Sequence, residues 1–393
     1  MRNARTVMAL VLLAASVLCF PALAEQPAPS PIVAADTTAT PEVLAAPDAT
    51  ATLGATADQG TPAAEPPKPP AAPTAIQIKV GDASFRFGLL LQPQADWQGL
   101  AAGGTSQNMF LRRTRFFVAG QVAKNVFFFY QTENSRLGLA AASGTKTLGA
   151  GFQTLDAVGE WRLNKMFNIW GGLIYVPTSR EALKSSSSCF ALDVSTYAFT
   201  ASTALTGNAG RDTGMMARGY FLDDHLEYRA GVFQGLRESG SRNTFRKVAR
   251  VQYNFFDTEV YNPTPAYIAN YFGTKKIVAL GGAYDAQESY KGYTADLYVD
   301  VPTAFGSIDS TTTFQNLKGG KFLPTALPDS NTIAIDGGLY LKSTKLGPWA
   351  RYEQRDFSSP NSAKNERRYW GGINWFPYGN YFNVKAGVQH VVP

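Results

Sequence analysis

The sequence predicts an all-β protein, a transmembrane antiparallel β-barrel of about 16 strands preceded by a disordered Ala/Pro-rich linker. Three observations predict this fold. The first is composition: 45% of the 393 residues are hydrophobic and 12% are aromatic, but only 17% are charged, against about 25% in a typical soluble domain. The second is a repeated alternation of apolar and polar residues. The third is an alternation of short and long connections between the alternating segments.

The chain begins with the three-part pattern of an export signal. Arg2 and Arg5 form a basic segment, residues 8–20 are apolar, and residues 22–24 (ALA) form a small-residue cleavage site. We therefore expect residues 1–24 to be a signal peptide that is removed. Of the 2 cysteines, the mature chain would keep only Cys189, so it could form no internal disulfide.

Residues 25–75 are mainly Ala, Pro and Thr, with almost no large apolar side chain. Such a segment cannot bury enough surface to offset the entropy lost on ordering, so it is predicted to be a disordered periplasmic linker. Taking the signal (+2) and the linker (−5) from the net charge of +6 leaves +9 on residues 76–393, the predicted barrel domain.

The barrel domain contains about fifteen segments in which apolar and polar residues alternate with period two, the pattern of half-buried strands. Many run about ten to twelve residues, the length that a tilted strand needs to cross a bilayer. The segments are 84–98, 108–123, 126–136, 152–164, 167–177, 212–223, 226–235, 246–256, 276–286, 292–302, 307–317, 331–342, 346–357, 367–377 and 380–391.

Connections between these segments alternate in length, as in outer-membrane barrels. Short turns fall at 124–125, 164–166 and 223–225, and longer loops at 99–107, 137–151, 178–211, 236–245 and 318–330. A soluble β-sandwich is the alternative, because it also buries one face of each strand. An even strand number requires one more strand, which could lie between 303 and 330, at 76–80, or beyond the given sequence.

Several motifs, in this order and spacing, resemble the phosphate-selective porin O and P family of Gram-negative outer membranes. They are 110–116 (FLRRTRF), 210–214 (GRDTG) followed by 226–233 (LEYRAGVF), 275–285, 295–297 (ADL) and 372–377 (GINWFP). The resemblance runs from about residue 85 to residue 389. It implies a sixteen-stranded trimeric porin that passes anions, in some members phosphate or pyrophosphate.

If apolar side chains face lipid, the residues of opposite parity line a pore. This rule places nine bases inside, Arg113, Arg115, Arg162, Arg218, Arg229, Arg250, Arg351, Arg355 and Lys385, together with five acids, Glu160, Glu227, Asp296, Asp300 and Glu353. Because a narrow wet pore focuses the field of its charges, this excess predicts a moderate preference for anions. The alternative is that many bases pair with acids of the pore, for example Arg162 with Glu160 or Arg351 with Glu353.

The longest connection, 178–211, is predicted to fold into the barrel and narrow it, because long connections are usually functional. Arg180 and Lys184 precede four serines, Ser185 to Ser188, and could offer cations and hydroxyl donors to a permeating anion. The alternative is a mobile extracellular loop.

The predicted function is therefore an outer-membrane porin for passive diffusion of small anions, with phosphate as one candidate. Its predicted partners are outer-membrane lipid and two further copies in a homotrimer. We expect no enzyme activity, since the chain has 2 histidines and neither is well placed as a base. No metal, cofactor or nucleic-acid partner is expected. The alternative is a non-conducting outer-membrane protein that serves as a structural tether or adhesin.

Overall fold

The structure is a computed structural model. It describes the backbone of residues 5–7 and 13–15, and residues 77–100, 103–140, 144–146, 148, 151–200, 205, 209–237, 243–260, 266–323 and 327–392. Apart from the two short segments, the predicted signal (1–24) and linker (25–75) lie outside the described residues. The chain divides into two units, Met1–Ala24 with Ala75–Pro393, and Glu25–Thr74. Every element below belongs to the first unit. In the described residues, no helix has the length and apolar character needed to span a membrane.

In the described part of the chain, sixteen strands from β3 to β18 follow one another in a single antiparallel sheet. Two three-residue strands, β1 (Arg5–Val7) and β2 (Leu13–Ala15), pair with β18. The sixteen are β3 (Gln77–Val80), β4 (Ala83–Gly99), β5 (Thr105–Ala123), β6 (Val126–Leu137), β7 (Gln153–Asn164), β8 (Phe167–Tyr175), β9 (Arg211–Phe221), β10 (Leu226–Phe233), β11 (Arg246–Asn254), β12 (Ile277–Gln287), β13 (Tyr290–Thr303), β14 (Gly306–Lys318), β15 (Ser330–Leu341), β16 (Leu346–Phe357), β17 (Glu366–Trp375) and β18 (Asn383–Val392).

All fifteen predicted segments coincide with strands β4 to β18 to within a few residues, which confirms the predicted fold class. β3 falls at the predicted position 76–80 and pairs with the start of β4. In the described part of 303–330, strand structure is confined to the end of β13, to β14 and to the first residue of β15. The expectation of an unrecognised strand there is therefore not met in the residues described.

The sheet curls around its own interior. Along the consecutive strand pairings from β5–β6 to β17–β18, β5 and β18 lie thirteen strands apart, a separation of about 60 Å in a flat sheet. One segment of the loop after β8 nevertheless contacts both. The carboxylate of Asp193 lies 2.7 Å from Arg113 on β5, and the Ala191 carbonyl accepts a 3.1 Å hydrogen bond from Lys385 on β18. Only a sheet wrapped into a barrel brings these two strands to one loop.

The two rims of the barrel differ. One, the short-turn rim, carries the tight connections 124–125, 165–166, 222–225, 304–305 and 342–345. The opposite long-loop rim carries most of the longer connections. Two connections break the rule, since 288–289 is a tight turn on the long-loop rim and 255–276 is a long segment on the short-turn rim. This asymmetry is typical of outer-membrane barrels.

The distribution of side chains is the opposite of that in a soluble domain, because apolar residues lie on the outside and charged residues on the inside. On the outer face, large apolar residues such as Leu280, Leu297 and Phe314 are exposed, while on the inner face Arg250 and Asp296 are buried. A contiguous exposed apolar surface is unusual for a soluble monomer. The distribution therefore favours the barrel over the soluble sandwich.

The parity rule does not hold everywhere, because part of the inner wall is apolar. Strands β5 to β11 place a buried apolar cluster on the face that carries the inward charges. Its strand residues are Ala119, Phe129, Val158, Trp170, Ile174, Met216, Phe233 and Val248. In this sector the wall is packed like a core and offers no polar groups to a solute.

A substitution at Gly172 in β8 tests whether the stability of the barrel depends on the close approach of β7 and β8. Its φ is +122°, and a Cβ there would lie 2.0 Å from the carbonyl oxygen of Ala157. We expect Gly172→Ala to destabilise the barrel by about 1–3 kcal/mol, seen as a lower temperature for the heat-dependent shift in gel mobility. Gly171→Ala is the matched control, because nothing lies within 4 Å of its Cβ. Equal transition temperatures for the two variants would contradict the prediction.

Candidate pore constriction

The described residues of the loop that follows β8, 176–200, 205, 209 and 210, lie inside the barrel and are called the interior loop. It contains two short helices, α1 (Arg180–Leu183) and α2 (Thr196–Thr200). Ser179 caps α1, because its Oγ accepts a 2.8 Å hydrogen bond from the Ala182 N–H, which satisfies an otherwise unpaired helix donor. Arg180 and Leu183 are fully buried. The prediction that this connection folds inward is confirmed.

A second segment enters the barrel from the opposite rim. Its described residues, 255–260 and 266–276, are called the second interior loop and meet the interior loop at Glu259. The Arg180 guanidinium makes two hydrogen bonds to this carboxylate, at 2.7 and 2.8 Å, and lies 3.7 Å from the ring centroid of Tyr298. On β13, Asp300 accepts the Tyr271 N–H at 2.6 Å, which holds the second interior loop against the wall.

The two loops are also joined through their backbones. Lys184 and Tyr267 form a parallel β-bridge. The Tyr267 N–H donates to the Leu183 carbonyl at 2.7 Å, and the Ser185 N–H donates to the Tyr267 carbonyl at 2.9 Å. The constriction is therefore built from both rims. The sequence analysis did not identify the second interior loop, although its length on the short-turn rim could have indicated it.

The middle of the interior loop, residues 189–193, is surrounded by basic side chains. Phe190 anchors the segment against Phe376 at 5.4 Å between ring centroids. Asp193 lies 3.0 Å from Arg112 and 2.7 Å from Arg113, so two arginines share one carboxylate. Lys385 donates to the backbone carbonyls of Cys189 and Ala191, which carry no charge.

Two further cations complete this group. Arg351 lies 2.7 Å from Asp336 and also donates to the Asp193 carbonyl. Lys184 lies 2.9 Å from Glu181 and 3.3 Å from Asp336. The constriction cluster is thus defined as five cations, Arg112, Arg113, Lys184, Arg351 and Lys385, with three carboxylates, Glu181, Asp193 and Asp336.

The cluster holds Asp193 and Lys184 in their charged forms. Burial alone would raise the pKa of the Asp193 carboxyl, but Arg113 and Arg112 hold it well below its usual range. Burial alone would lower the pKa of Lys184, but Asp336 and Glu181 raise it above its ordinary value. These side chains therefore carry their charges at neutral pH. Burial raises the pKa of the Cys189 thiol to about 11, so this cysteine is not reactive at neutral pH.

Nine of the eleven predicted site residues have carboxylate partners within 3.3 Å. These are Arg113 with Asp193, Arg115 with Glu133, Arg162 with Glu160, Arg180 with Glu259, Lys184 with Glu181 and Asp336, Arg218 and Arg229 with Glu227, Arg250 with Asp296, and Arg351 with Asp336. The tenth, Lys385, contacts carbonyls. The pairing suggested for Arg162 is confirmed, whereas the pairing of Arg351 with Glu353 is wrong, because Glu353 accepts from Ser195 at 2.5 Å instead.

Arg355 is the eleventh. Within the described residues no carboxylate or carbonyl pairs with its guanidinium, which lies 4.7 Å from the Phe357 ring centroid. It is half-buried and sits near the long-loop end of β16. The directly opposite residue on β17, Glu366, is paired with Arg368 at 2.6 Å. Arg355 therefore adds positive charge at the long-loop mouth.

The sequence patterns did not identify several charged residues that face the inside of the barrel. The clearest is Arg112. Gln92 pairs with Arg113 but Pro93 pairs with Leu111, so Arg112 is the extra residue of a β-bulge, and a bulge re-aims side chains. Period-two parity cannot place such a residue. Others include the acids Glu133 and Asp336 and the pairs Arg211–Asp156, Arg246–Asp285 and Arg368–Glu366. The predicted balance of nine bases and five acids therefore omits charges of both signs.

No family model matches the chain, and no curated protein matches it. Solved structures do. OmpF of Salmonella typhi, in a complex with daunomycin, matches with a TM-score of 0.52 at 11% identity over 81% of this chain and 100% of that one. The channel DcaP of Acinetobacter baumannii matches at 0.48 and 9% identity, covering 80% and 98%. An anion-selective porin from Comamonas acidovorans matches at 0.35 and 11%, covering 79% and 100%. The chain has a porin fold. At these identities the likeness concerns the fold alone, and membership in the porin O and P family stays a prediction.

Proposed function

We propose that this protein is an outer-membrane porin through which small anions diffuse passively. In this proposal residues 1–24 direct export, residues 25–75 extend as a linker in the periplasm, and residues 76–393 form the channel. The porin fold, the apolar outer face and the two interior loops support it. The long-loop rim then faces outward and the short-turn rim faces the periplasm.

The constriction cluster is the observation that carries the preference for anions. Five cations surround residues 189–193 with three carboxylates, and the buried carboxylate of Glu353 also acts on Arg351, which leaves one positive charge in excess. Arg112 and Asp193 keep 26% and 22% of their side-chain surface exposed, so water and solutes reach this point. Charges in a narrow wet pore between low-dielectric walls act strongly on a passing ion.

The paired arginines have a second role in this mechanism. Each pair fixes a guanidinium in place, and a fixed donor array binds oxyanions briefly without rearrangement. Binding must remain weak for the ion to leave. Arg355 would draw anions into the mouth, and the cluster would select them. Phosphate is a candidate solute because arginine can bind it through two parallel hydrogen bonds. A homotrimer is proposed from the family resemblance.

Reversal potentials across a planar bilayer in a tenfold KCl gradient test the proposal. We expect stepwise conductance and a potential of the sign for chloride over potassium, with a permeability ratio of about 5. In molar salt the Debye length falls to about 3 Å, so the preference should largely disappear. A cation-selective channel would contradict the anion assignment. Absence of conductance from inserted, heat-modifiable protein would favour the structural tether instead. Added phosphate that blocks the current would support a phosphate site.

A further inference from the structure

Three exposed lysines lie side by side on the outer face of the barrel. Lys247 on β11 pairs in register with Ala286 on β12, Ala286 pairs with Lys291 on β13, and Lys291 pairs with Lys318 on β14. Directly opposite residues of antiparallel strands share a face. The three are called the lysine row, and all are exposed.

The position of the lysine row is set by its strands. Lys247 and Lys291 are the second residues of β11 and β13, and Lys318 is the last residue of β14. All three strand ends lie at the long-loop rim. Neighbouring strands are about 4.8 Å apart, so the row spans about 14 Å along this rim.

Among the residues that the structure describes, the lysine row has no counter-charge of its own. Within the described part of the chain, none of the three lysines forms an ion pair. The nearby acid Glu288 instead accepts the hydroxyl of Thr244 at 2.5 Å. Like charges directly opposite each other across two strands are destabilising. An external anion seated over Lys291 and Lys318 would relieve this repulsion.

An apolar groove on β8 to β12 opens beside the row and shares Lys247 with it. Ala217, Ala230 and Ala249 are paired in register across β9, β10 and β11 and form its floor. Ile169 and Tyr284 close its sides, and Lys247 stands at its upper border beside Val232. The groove, called the alanine groove, has a volume of about 530 Å³.

The groove is a shallow, open depression with an almost entirely apolar lining. Its floor is made of methyl groups and its borders are larger side chains, so a hydrocarbon chain lying along the wall would bury apolar surface there. The rings of Tyr284 and Tyr293 contact each other in a tilted arrangement, 5.3 Å between centroids, two residues along their strands from Ala286 and Lys291. Tyrosines at this depth mark the boundary between headgroups and acyl chains.

We propose that the lysine row and the alanine groove bind one phosphate-bearing lipid of the outer leaflet. The phosphate lies over the lysines, and one acyl chain lies along the groove. The assignment rests on the outer-membrane placement proposed above. It is independent of conduction, because the inner face carries the charges of the channel and the outer face carries this site.

Native mass spectrometry of the full chain in non-ionic detergent tests the proposal. The probes are diphosphoryl lipid A, phosphatidylcholine and inorganic phosphate. We expect lipid A to remain bound while phosphatidylcholine does not. The triple variant K247Q/K291Q/K318Q should weaken lipid A binding about tenfold or more. The matched control K79Q/K124Q/K342Q removes the same charge from exposed lysines near the short-turn rim and should bind as the parent does.

A groove variant separates the acyl chain from the headgroup. Ala230→Leu fills the floor with three further carbon atoms, and we expect it to weaken lipid A binding several-fold with the lysines intact. Equal lipid A binding by the parent, the lysine triple and the control would overturn the proposal. So would full displacement of lipid A by millimolar inorganic phosphate, because the groove would then contribute nothing. Loss of subunit association in the lysine triple, without any bound lipid, would assign the surface to a second copy instead.

Conductance measurements distinguish a failure of the lipid-site proposal from a failure of the porin proposal. The lysine triple should conduct with the parent's ion selectivity, since its substitutions lie outside the pore. A parent protein that binds lipid A but does not conduct would refute the porin and leave the lipid site standing. A conducting parent that fails to retain lipid A would do the reverse.

Discussion

Glu259→Gln is expected to raise single-channel conductance and current noise by releasing the constriction. Arg180 is fully buried, and Glu259 is its carboxylate partner at 2.7 Å. Glutamine keeps the size of the side chain but leaves the guanidinium charge uncompensated, at a cost of about 3–5 kcal/mol. Since this pair joins the interior loop to the second interior loop, the strain falls on their junction. The bilayer recording measures the step size and the noise in the open state.

Two further variants identify the cause of that effect. Replacing both partners, R180M/E259Q, removes the buried charge as well as its counter-charge, and it should restore quiet currents close to those of the parent. Glu288→Gln removes an exposed carboxylate from the tight turn between β12 and β13 and should change nothing. If Glu259→Gln conducts like the parent while folding normally, the ion pair is not needed to join the two loops, and the backbone bridge at Tyr267 and the hydrogen bond from the Ala269 N–H to Ser188 Oγ are sufficient.

The strands were predictable because two physical requirements act on every residue of a barrel wall. Lipid on one side and a polar interior on the other impose period two, as in 294–301, where Ala295 and Leu297 face outward and Asp296 faces inward. Membrane thickness fixes strand length, and hairpin turns fix order. These constraints are local in the sequence, so all fifteen segments could be placed without knowledge of their neighbours.

The constriction was predictable only in part, because its geometry depends on contacts between residues far apart in the chain. The length of the interior loop indicated that it folds inward. The partners of its charges could not be derived, since Arg180 meets Glu259 from the opposite rim and Lys184 meets Asp336 on β15. Glu353 is two residues from Arg351, as Glu160 is from Arg162. The Glu353 carboxylate nevertheless accepts a hydrogen bond from Ser195, the residue before α2. Sequence spacing therefore identifies ion-pair partners within a strand, but it does not identify partners that a loop carries in from a distant part of the chain.

Neutral substitutions of Lys385 and Asp193 are expected to shift the ion selectivity of the channel in opposite directions. Lys385 donates to neutral carbonyls and forms no ion pair within the described residues, so Lys385→Met removes a positive charge that has no carboxylate partner there. We expect the chloride-to-potassium permeability ratio to fall about fivefold, the effect of about 1 kcal/mol for a unit charge close to a hydrated ion. Asp193→Asn should raise the ratio by a similar factor, because Arg112 and Arg113 then lose their shared carboxylate. Both ratios come from reversal potentials at low ionic strength, where screening is weakest.

The opposite signs distinguish local electrostatics from a change in pore width. A variant that merely opened the pore would reduce selectivity whichever charge was removed, because a wider aqueous path screens the walls. The double variant K385M/D193N should return toward the parent ratio if the two charges act on the same ion, with any remainder measuring their coupling. Lys342→Met removes an exposed charge from the turn between β15 and β16 and controls for net charge. If both single variants shift the ratio in the same direction, residues 189–193 do not form the selective point, and the selectivity arises elsewhere, with Arg355 at the long-loop mouth as the next residue to replace.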